Sequence, residues 1–185
     1  MSARAAQPVP GGRRRIDRVL ADGYADALAE LSMDELRSRR REAEQEETDL
    51  SFTRRMLQGR LDILRAERAR RAGGDTGSLV DRLADILADS VRQDRGLGRH
   101  LDREPSRLDE RRRSVEQVIS DVGISDVSAL DDSGLEAALE RVGALERAVS
   151  EQRARVQAVV DRLTAEVGRR YAAGGVDIAE ALRDA

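Results

Sequence analysis

A five-residue polar pattern occurs twice in this chain with identical spacing, and each copy keeps returning to one side of an α-helix. The pattern reads E-x3-S-x2-R-x3-Q-x3-D, and each residue of the second copy follows its counterpart by 99 positions. The steps of four, three, four and four residues fit the helical period. The sequence therefore predicts two long helices with equivalent polar stripes. The stripes consist of Glu47, Ser51, Arg54, Gln58 and Asp62 in the first copy, and Glu146, Ser150, Arg153, Gln157 and Asp161 in the second.

The similarity between the two stretches continues beyond these ten motif residues. A block of about 40 residues that matches itself indicates an internal duplication. Because packing in a core repeats apolar residues, a repeated polar stripe indicates a repeated contact with something else. Further matches at the same offset are Leu31 with Leu130, Leu36 with Leu135, Leu64 with Leu163, Ala66 with Ala165, Glu67 with Glu166, and Arg70-Arg71 with Arg169-Arg170.

Apolar residues follow one edge of each stripe. On a helical wheel the stripe is about 80° wide, and the apolar positions form a seam next to it. The simplest fold packs the two seams together, which predicts an all-α protein whose two long helices form an intramolecular antiparallel coiled coil joined by a helical connector. Parallel pairing would also align the motifs. We favour antiparallel pairing, because the connector helices are amphipathic enough to pack and need not stretch along the pair of long helices. The seam residues are Ala43, Leu50, Leu57, Leu61 and Leu64, and Val142, Leu145, Val149, Val156, Val160 and Leu163.

The chain divides into five segments at its glycines, prolines and capping residues. Ser32 and Glu35 form a capping box at the start of the first long helix, and Ser133 with Glu136 is predicted to cap the second. No segment alternates with the period of a strand. The segments are a disordered tail at 1–15, a short helix at 16–31 and the first long helix up to 71, a connector at 72–130 with helices at 78–93 and 106–122 and a short turn at 125–130, the second long helix at 131–173, and a C-terminal tail at 174–185.

Composition excludes several classes of protein. Charged residues make up 37% of the chain and aromatic residues 2%, which suits long helices with a narrow apolar seam. The absence of Cys excludes disulfides and thiolate metal sites, and the net charge of −3 argues against direct binding to DNA. No apolar run has the length of a membrane span, and no signal-peptide pattern opens the chain, so we expect a cytoplasmic protein.

Catalysis and metal binding are poor explanations of the stripe. Its carboxylates spread over about 22 Å of helix, the single His100 lies far away in the sequence, and the Glu-x-x-His pattern of helical di-iron sites is absent. Ser51 and Ser150 have no histidine base beside them. We therefore expect neither an enzyme nor a metal site. Pairs of neighbouring charges can also support an exposed helix by about 0.2–0.5 kcal/mol each, but such support does not require the same residues twice.

A planar polar ligand with two-fold symmetry fits the stripe better. Guanine offers acceptors to arginine and donors to carboxylates, and arginine also stacks on bases. Each motif copy carries two acidic residues and one arginine, so attraction to phosphate cannot by itself explain binding. Arg65 lies on the same stripe and is placed to supply charge for a phosphate. The wheel puts the stripe beside the seam, which predicts that it does not hold the two helices together.

Both copies of the pattern resemble the signature of the RsiG family of actinobacterial anti-sigma factors at all ten positions. The resemblance implies that the motifs bind cyclic di-GMP as a pair of molecules, and that the loaded protein sequesters a flagellar-type sporulation sigma factor of the WhiG type. It also implies that Arg54 and Arg153 contact guanine, that Asp62 and Asp161 accept its Watson–Crick donors, and that the other six motif residues complete the polar shell.

An alternative of a different class stays open at this point. The chain could be a structural coiled-coil scaffold or dimerisation protein, with the stripe as an interface between helices or between subunits and no nucleotide ligand.

Overall fold

Long stretches of helix formers without proline determine the architecture of the described part of the chain. The computed structural model describes residues 8–73 and 124–174, and these contain no strand. The two long helices pack closely against each other, which confirms the predicted all-α fold class. The predicted connector helices at 78–93 and 106–122, His100, residues 1–7 and the tail from 175 onwards lie outside the described residues. The elements are α1 (Arg15–Val19), a 3-10 turn (Leu28–Glu30), α2 (Met33–Gly73), a second 3-10 turn (Ile124–Ala129) and α3 (Asp132–Ala172).

The chain divides into two compact units. The connector unit contains described residues 49–73 and 124–151, and the terminal unit contains described residues 8–48 and 152–174. Each unit holds one part of α2 and one part of α3.

Six of the seven predicted seam residues of the connector unit are buried in its core, and the seventh, Leu145, is half-buried. Burying each large aliphatic side chain of this core contributes about 1.5–3 kcal/mol. Near the end of α2, Arg68 lies 3.6 Å from Glu136, and Arg71 donates to Asp132 at 2.8 Å, close to the start of α3. The helices therefore run antiparallel in this unit, as predicted. The buried apolar residues are Leu50, Leu57, Leu61, Leu64, Val127, Leu135, Ala138, Val142 and Val149.

The terminal unit has the same antiparallel arrangement. Arg37, near the start of α2, donates a hydrogen bond of 2.7 Å to the hydroxyl of Tyr171 at the end of α3. The core of this unit also takes in side chains from the segment before α2. Its buried apolar residues are Ile16, Val19, Ala25, Leu36, Ala43, Val156, Val160, Leu163 and Val167.

The two long helices begin with different caps. The Ser32 hydroxyl accepts from the Glu35 N–H at 3.2 Å, and the Glu35 carboxylate accepts from the Ser32 N–H at 3.0 Å, so the predicted capping box is confirmed. At α3 the predicted cap of Ser133 and Glu136 is wrong. Asp131 lies one residue before the helix and accepts from the Gly134 N–H at 2.7 Å, so its carboxylate occupies the capping position.

The segment before α2 is less helical than predicted. The helix predicted at 16–31 is limited to Arg15–Val19, because Gly23 and Ala27 adopt positive φ angles of 85° and 47° and turn the chain. The segment then contacts both long helices: the Tyr24 hydroxyl donates to the Arg39 carbonyl at 3.0 Å, and Arg162 donates to Asp26 at 3.0 Å.

Residues 8–14, assigned to a disordered tail from the sequence, form a turn that Asp17 holds. The buried Asp17 carboxylate accepts from the Val9 N–H at 2.8 Å and from the Arg14 side chain at 2.7 Å. The Arg14 guanidinium and these N–H donors lower the pKa of Asp17 to about 2. The predicted disorder does not extend to this turn, because a single carboxylate satisfies several of its donors.

Candidate functional site

The ten motif residues lie beside the buried seam, as the wheel predicts. Glu47 is buried, Asp161 is exposed, and the other eight side chains are half-buried. Polar side chains at this depth are held in place by neighbours and still reach solvent. Such an arrangement suits recognition of a polar ligand, but it also permits contacts from one helix to the other.

In the terminal unit, one motif copy contacts the other through an ion pair. Arg153 Nη1 lies 2.9 Å from Glu47 Oε1, and the Arg153 side chain keeps 34% of its surface exposed. Further along α3, the Gln157 amide donates to Asp161 at 3.0 Å. This unit therefore brings Glu47 of the first copy to Arg153 of the second, with a guanidinium that solvent can reach.

In the connector unit, the two motif copies contact each other through Glu146. Its Oε1 accepts from the Ser150 hydroxyl at 2.9 Å and from the Gln58 amide of α2 at 3.4 Å. Asp62 accepts from Arg65 at 3.2 Å on its own helix. Ser51 and Arg54 also lie in this unit, and each has an interaction partner. Glu146 thus links both helices through one carboxylate oxygen.

These contacts correct one expectation from the sequence. The stripe was predicted not to hold the helices together, but Arg153 and Gln58 both reach residues of the opposite helix. The wheel places the backbone positions beside the seam correctly. It does not account for the length of the arginine and glutamine side chains, which cross the seam edge and bridge the two helices.

An open groove adjoins the motif in the connector unit. It has a volume of about 610 Å³, and the side chain of Leu61 contributes to its lining. Three arginines surround it, namely Arg65, Arg68 and Arg147, together with Glu136 and Glu140. Gly143 also lines the groove.

A second duplicated cluster has a role that the sequence pattern alone does not reveal. At the end of α2, the fully buried carboxylate of Glu67 accepts from Arg70 at 2.8 Å and from Arg71 at 2.7 Å. Arg71 also donates to the backbone carbonyl of Leu130 at 2.8 Å, in the turn before α3. We refer to Glu67, Arg70 and Arg71 as the first clamp.

The second clamp consists of Glu166, Arg169 and Arg170 and has the same geometry in the terminal unit. Glu166 accepts from Arg169 at 2.8 Å and from Arg170 at 2.9 Å, and Arg170 donates to the backbone carbonyl of Leu28 at 2.7 Å. The paired guanidinium groups lower the pKa of Glu67 and that of Glu166 to about 2. The repeated E-x2-R-R pattern was a usable signal, whereas the carbonyl partners belong to distant turns that the pattern does not reveal.

The described part of the chain lacks two kinds of feature. Within residues 8–73 and 124–174, no group of three or more His, Cys, Asp and Glu is arranged to hold a metal ion. None of the helices in this part of the chain is long and apolar enough to cross a membrane.

The sequence of the chain also matches a known family. Residues 22–87 match the model of a family described as RsiG-like. The match includes the first motif copy and the first clamp, and it ends before the second copy begins. No curated protein matches the chain.

Proposed function

From membership of the RsiG-like anti-sigma factor family, which the match over residues 22–87 supports, we propose that this chain sequesters a sigma factor when loaded with cyclic di-GMP. The observation that carries the proposal is the meeting of the two motif copies. Glu47 contacts Arg153 in the terminal unit, and Gln58 contacts Glu146 in the connector unit. Two such copies match the symmetry of a ligand with two equivalent guanines.

The chemistry of the motif supports recognition of guanine. Asp62 and Asp161 accept hydrogen bonds, which matches the N1 and N2 donors of guanine, and Arg54 and Arg153 match its O6 and N7 acceptors. Adenine presents a donor where guanine presents O6, so the same residues disfavour it. We expect the bases to determine selectivity, because each motif copy has more acidic than basic groups.

The contact between Glu47 and Arg153 also indicates how binding is coupled to conformation. The Glu47–Arg153 pair bridges α2 and α3, and a guanine that recruits Arg153 competes with Glu47 for the same guanidinium. Such an exchange gives the ligand a different affinity for two arrangements of the helices, which is the requirement for an allosteric switch.

A protein partner requires an exposed surface with apolar anchors. Phe52 and Met56 lie one turn apart on α2 and keep 41% and 39% of their surfaces exposed. Phe52 is the only phenylalanine in the chain, and large exposed apolar side chains of this kind often anchor protein interfaces. We propose this pair as part of the surface that binds the sigma factor.

Calorimetric titration with cyclic di-GMP tests the ligand. We expect binding at micromolar concentrations, weaker binding in Arg54→Ala and Asp161→Ala, and little binding of cyclic di-AMP. Arg155→Ala, which changes an exposed arginine of α3 outside the motif, is the matched control. Absence of binding by the parent protein contradicts the proposal. Unaltered binding by both motif variants contradicts the assignment of the site.

Co-purification with a flagellar-type sigma factor tests the partner. We expect the chain to retain the sigma factor with cyclic di-GMP and to release it without the nucleotide. Phe52→Ser with Met56→Ser should abolish retention and leave nucleotide binding intact. Retention that does not depend on the nucleotide rules out the proposed switch.

The contacts between the helices also favour the second candidate, a structural coiled coil without a nucleotide ligand. In that case Glu47, Arg153, Gln58 and Glu146 serve only to hold the helix pair together. Size-exclusion chromatography with and without cyclic di-GMP separates the two functions. A scaffold keeps the same assembly state in both conditions, because it binds no nucleotide. Substitutions in its motif should lower only the stability of the fold.

A further inference from the structure

The motif lacks the positive charge that a cyclic dinucleotide requires. Each copy contains two carboxylates and one arginine, whereas each molecule of cyclic di-GMP carries two phosphodiester anions. If Arg54 and Arg153 contact guanine, the cations for the phosphates must come from residues outside the motif. Bringing an anion close to the motif carboxylates without such cations would cost binding energy.

The groove of the connector unit supplies these cations next to the motif. Arg65 already contacts Asp62 of the motif at 3.2 Å, and Arg147 follows Glu146 directly in the chain. Arg68 completes the set of three and lies 3.6 Å from Glu136. All three arginines are exposed, so an anion can reach them without displacing the core.

These arginines are not duplicated, although the motif is. At the offset that relates the two copies, Thr164 stands in place of Arg65, Val167 in place of Arg68, and Thr48 in place of Arg147. The groove is therefore a property of the connector unit and not a consequence of the repeat. An arginine set that only supported the fold of the repeat would be expected in both copies.

Gly143 contributes to the same site. A methyl group at this position would lie 3.4 Å from Arg147 Nη1 and 4.0 Å from Leu61 Cδ2, inside the groove. Glycine inside a helix costs about 1 kcal/mol relative to alanine, so its presence here comes at the expense of helix stability.

We propose that this groove binds a phosphodiester of cyclic di-GMP through Arg65, Arg68 and Arg147. The inference rests on the proposed function, since it extends the site of the same ligand. Arginine is well suited to the role, because its planar fork donates two parallel hydrogen bonds to phosphate oxygens. Glu136 and Glu140 at the rim leave the groove with one net positive charge, which favours a single phosphodiester over a polyanion.

Titration of the full chain with cyclic di-GMP at low and at high salt tests the groove. We expect Arg147→Ala and Arg68→Ala each to weaken binding about tenfold and to reduce its dependence on salt. Arg65→Lys should keep the dependence of binding on salt, because the positive charge remains. Arg65→Ala should reduce that dependence. Arg155→Ala again serves as the exposed control, and circular dichroism verifies the fold of each variant.

The outcomes separate the two proposals. If the parent protein binds cyclic di-GMP and all three alanine variants keep its affinity and salt dependence, the proposed phosphate site is overturned. The proposed function then stands. If the parent protein does not bind the nucleotide, both are overturned. A loss of affinity without a change in salt dependence also overturns the proposed phosphate site, because it indicates altered packing and not a lost phosphate contact.

Discussion

Arg170 donates a hydrogen bond of 2.7 Å to the backbone carbonyl of Leu28, a residue 142 positions away. Glu166 holds the same guanidinium at 2.9 Å, so the arginine is oriented by its own helix and directed at the turn before α2. The first clamp repeats this relationship between Arg71 and Leu130. The duplication therefore includes a hydrogen bond that joins the end of one long helix to the turn before the other.

Arg170→Ala should lower the free energy of unfolding by about 1–3 kcal/mol, because it removes charged hydrogen bonds to the carbonyls of Leu28 and Ala29. Urea denaturation followed by circular dichroism measures the change. Arg169→Ala is the control, since Arg169 contacts Glu166 but is 61% exposed, and it should lower the free energy of unfolding less than Arg170→Ala does. Equal losses in the two variants would contradict the role of the carbonyl contact.

Acid should destabilise the fold between about pH 4.5 and pH 2. The pKa of Glu67 and that of Glu166 fall from 4.5 to about 2 in the folded chain, so the unfolded chain takes up protons first as the pH decreases. The stability that these carboxylates contribute is present above pH 4.5 and is lost as the pH falls through about 2. Unfolding midpoints measured across this range verify the trend.

Glu67→Gln is the matched variant for the acid transition. It should lower stability at neutral pH and flatten the pH dependence, because its amide cannot titrate. Asp17→Asn should have a similar effect, since the pKa of Asp17 is also lowered to about 2. If both variants retain the full pH dependence of the parent, other carboxylates cause the transition.

A double-mutant cycle should detect coupling between Glu47 and Arg153. Their ion pair is partly shielded from solvent, so we expect about 1 kcal/mol of coupling in the absence of ligand. Gln58 and Glu146, which are 3.4 Å apart, should show less. Unfolding of the parent, the single variants and the double variant provides the measurement. Strictly additive effects of Glu47→Ala and Arg153→Ala would rule out the bridge.

Alanine in place of two helical glycines should separate stability from binding. Gly168→Ala meets no atom within 4 Å, and Gly143→Ala meets Arg147 and Leu61 at ordinary contact distances. Both should raise the free energy of unfolding by about 0.5–1 kcal/mol through helix propensity. Only Gly143→Ala narrows the groove, so only this variant should bind cyclic di-GMP more weakly. Equal affinities of the two variants would contradict the proposed phosphate site.

The helical spacing of the apolar residues was sufficient to predict the long helices and their core. Leu57, Leu64, Val156 and Leu163 are buried where the wheel places the seam, because apolar residues on one helical face have few other ways to leave water. Antiparallel pairing was predictable from the amphipathic connector, because the mid-helix position of the motifs fits parallel pairing as well. The Ser32 cap was also predictable, since its hydrogen bonds are local in sequence.

Features that depend on long side chains or on distant contacts were not predictable in the same way. The bridges from Arg153 and Gln58 require knowledge of the distance between helices, which no wheel supplies. The path of residues 20–31 depends on contacts of Tyr24 with α2 and of Asp26 with Arg162, and these override the local apolar spacing. Asp131 replaced Ser133 as the cap because the helix begins earlier than the serine pattern indicates.

The two clamps also have a consequence for the lifetime of the fold. Each joins a helix end to a turn that is 59 or 142 residues away, so neither can form until both long helices are in place. Contacts of this kind are absent from an early transition state and act mainly on the rate of unfolding. The clamps should therefore keep the folded chain from opening, without making it fold faster.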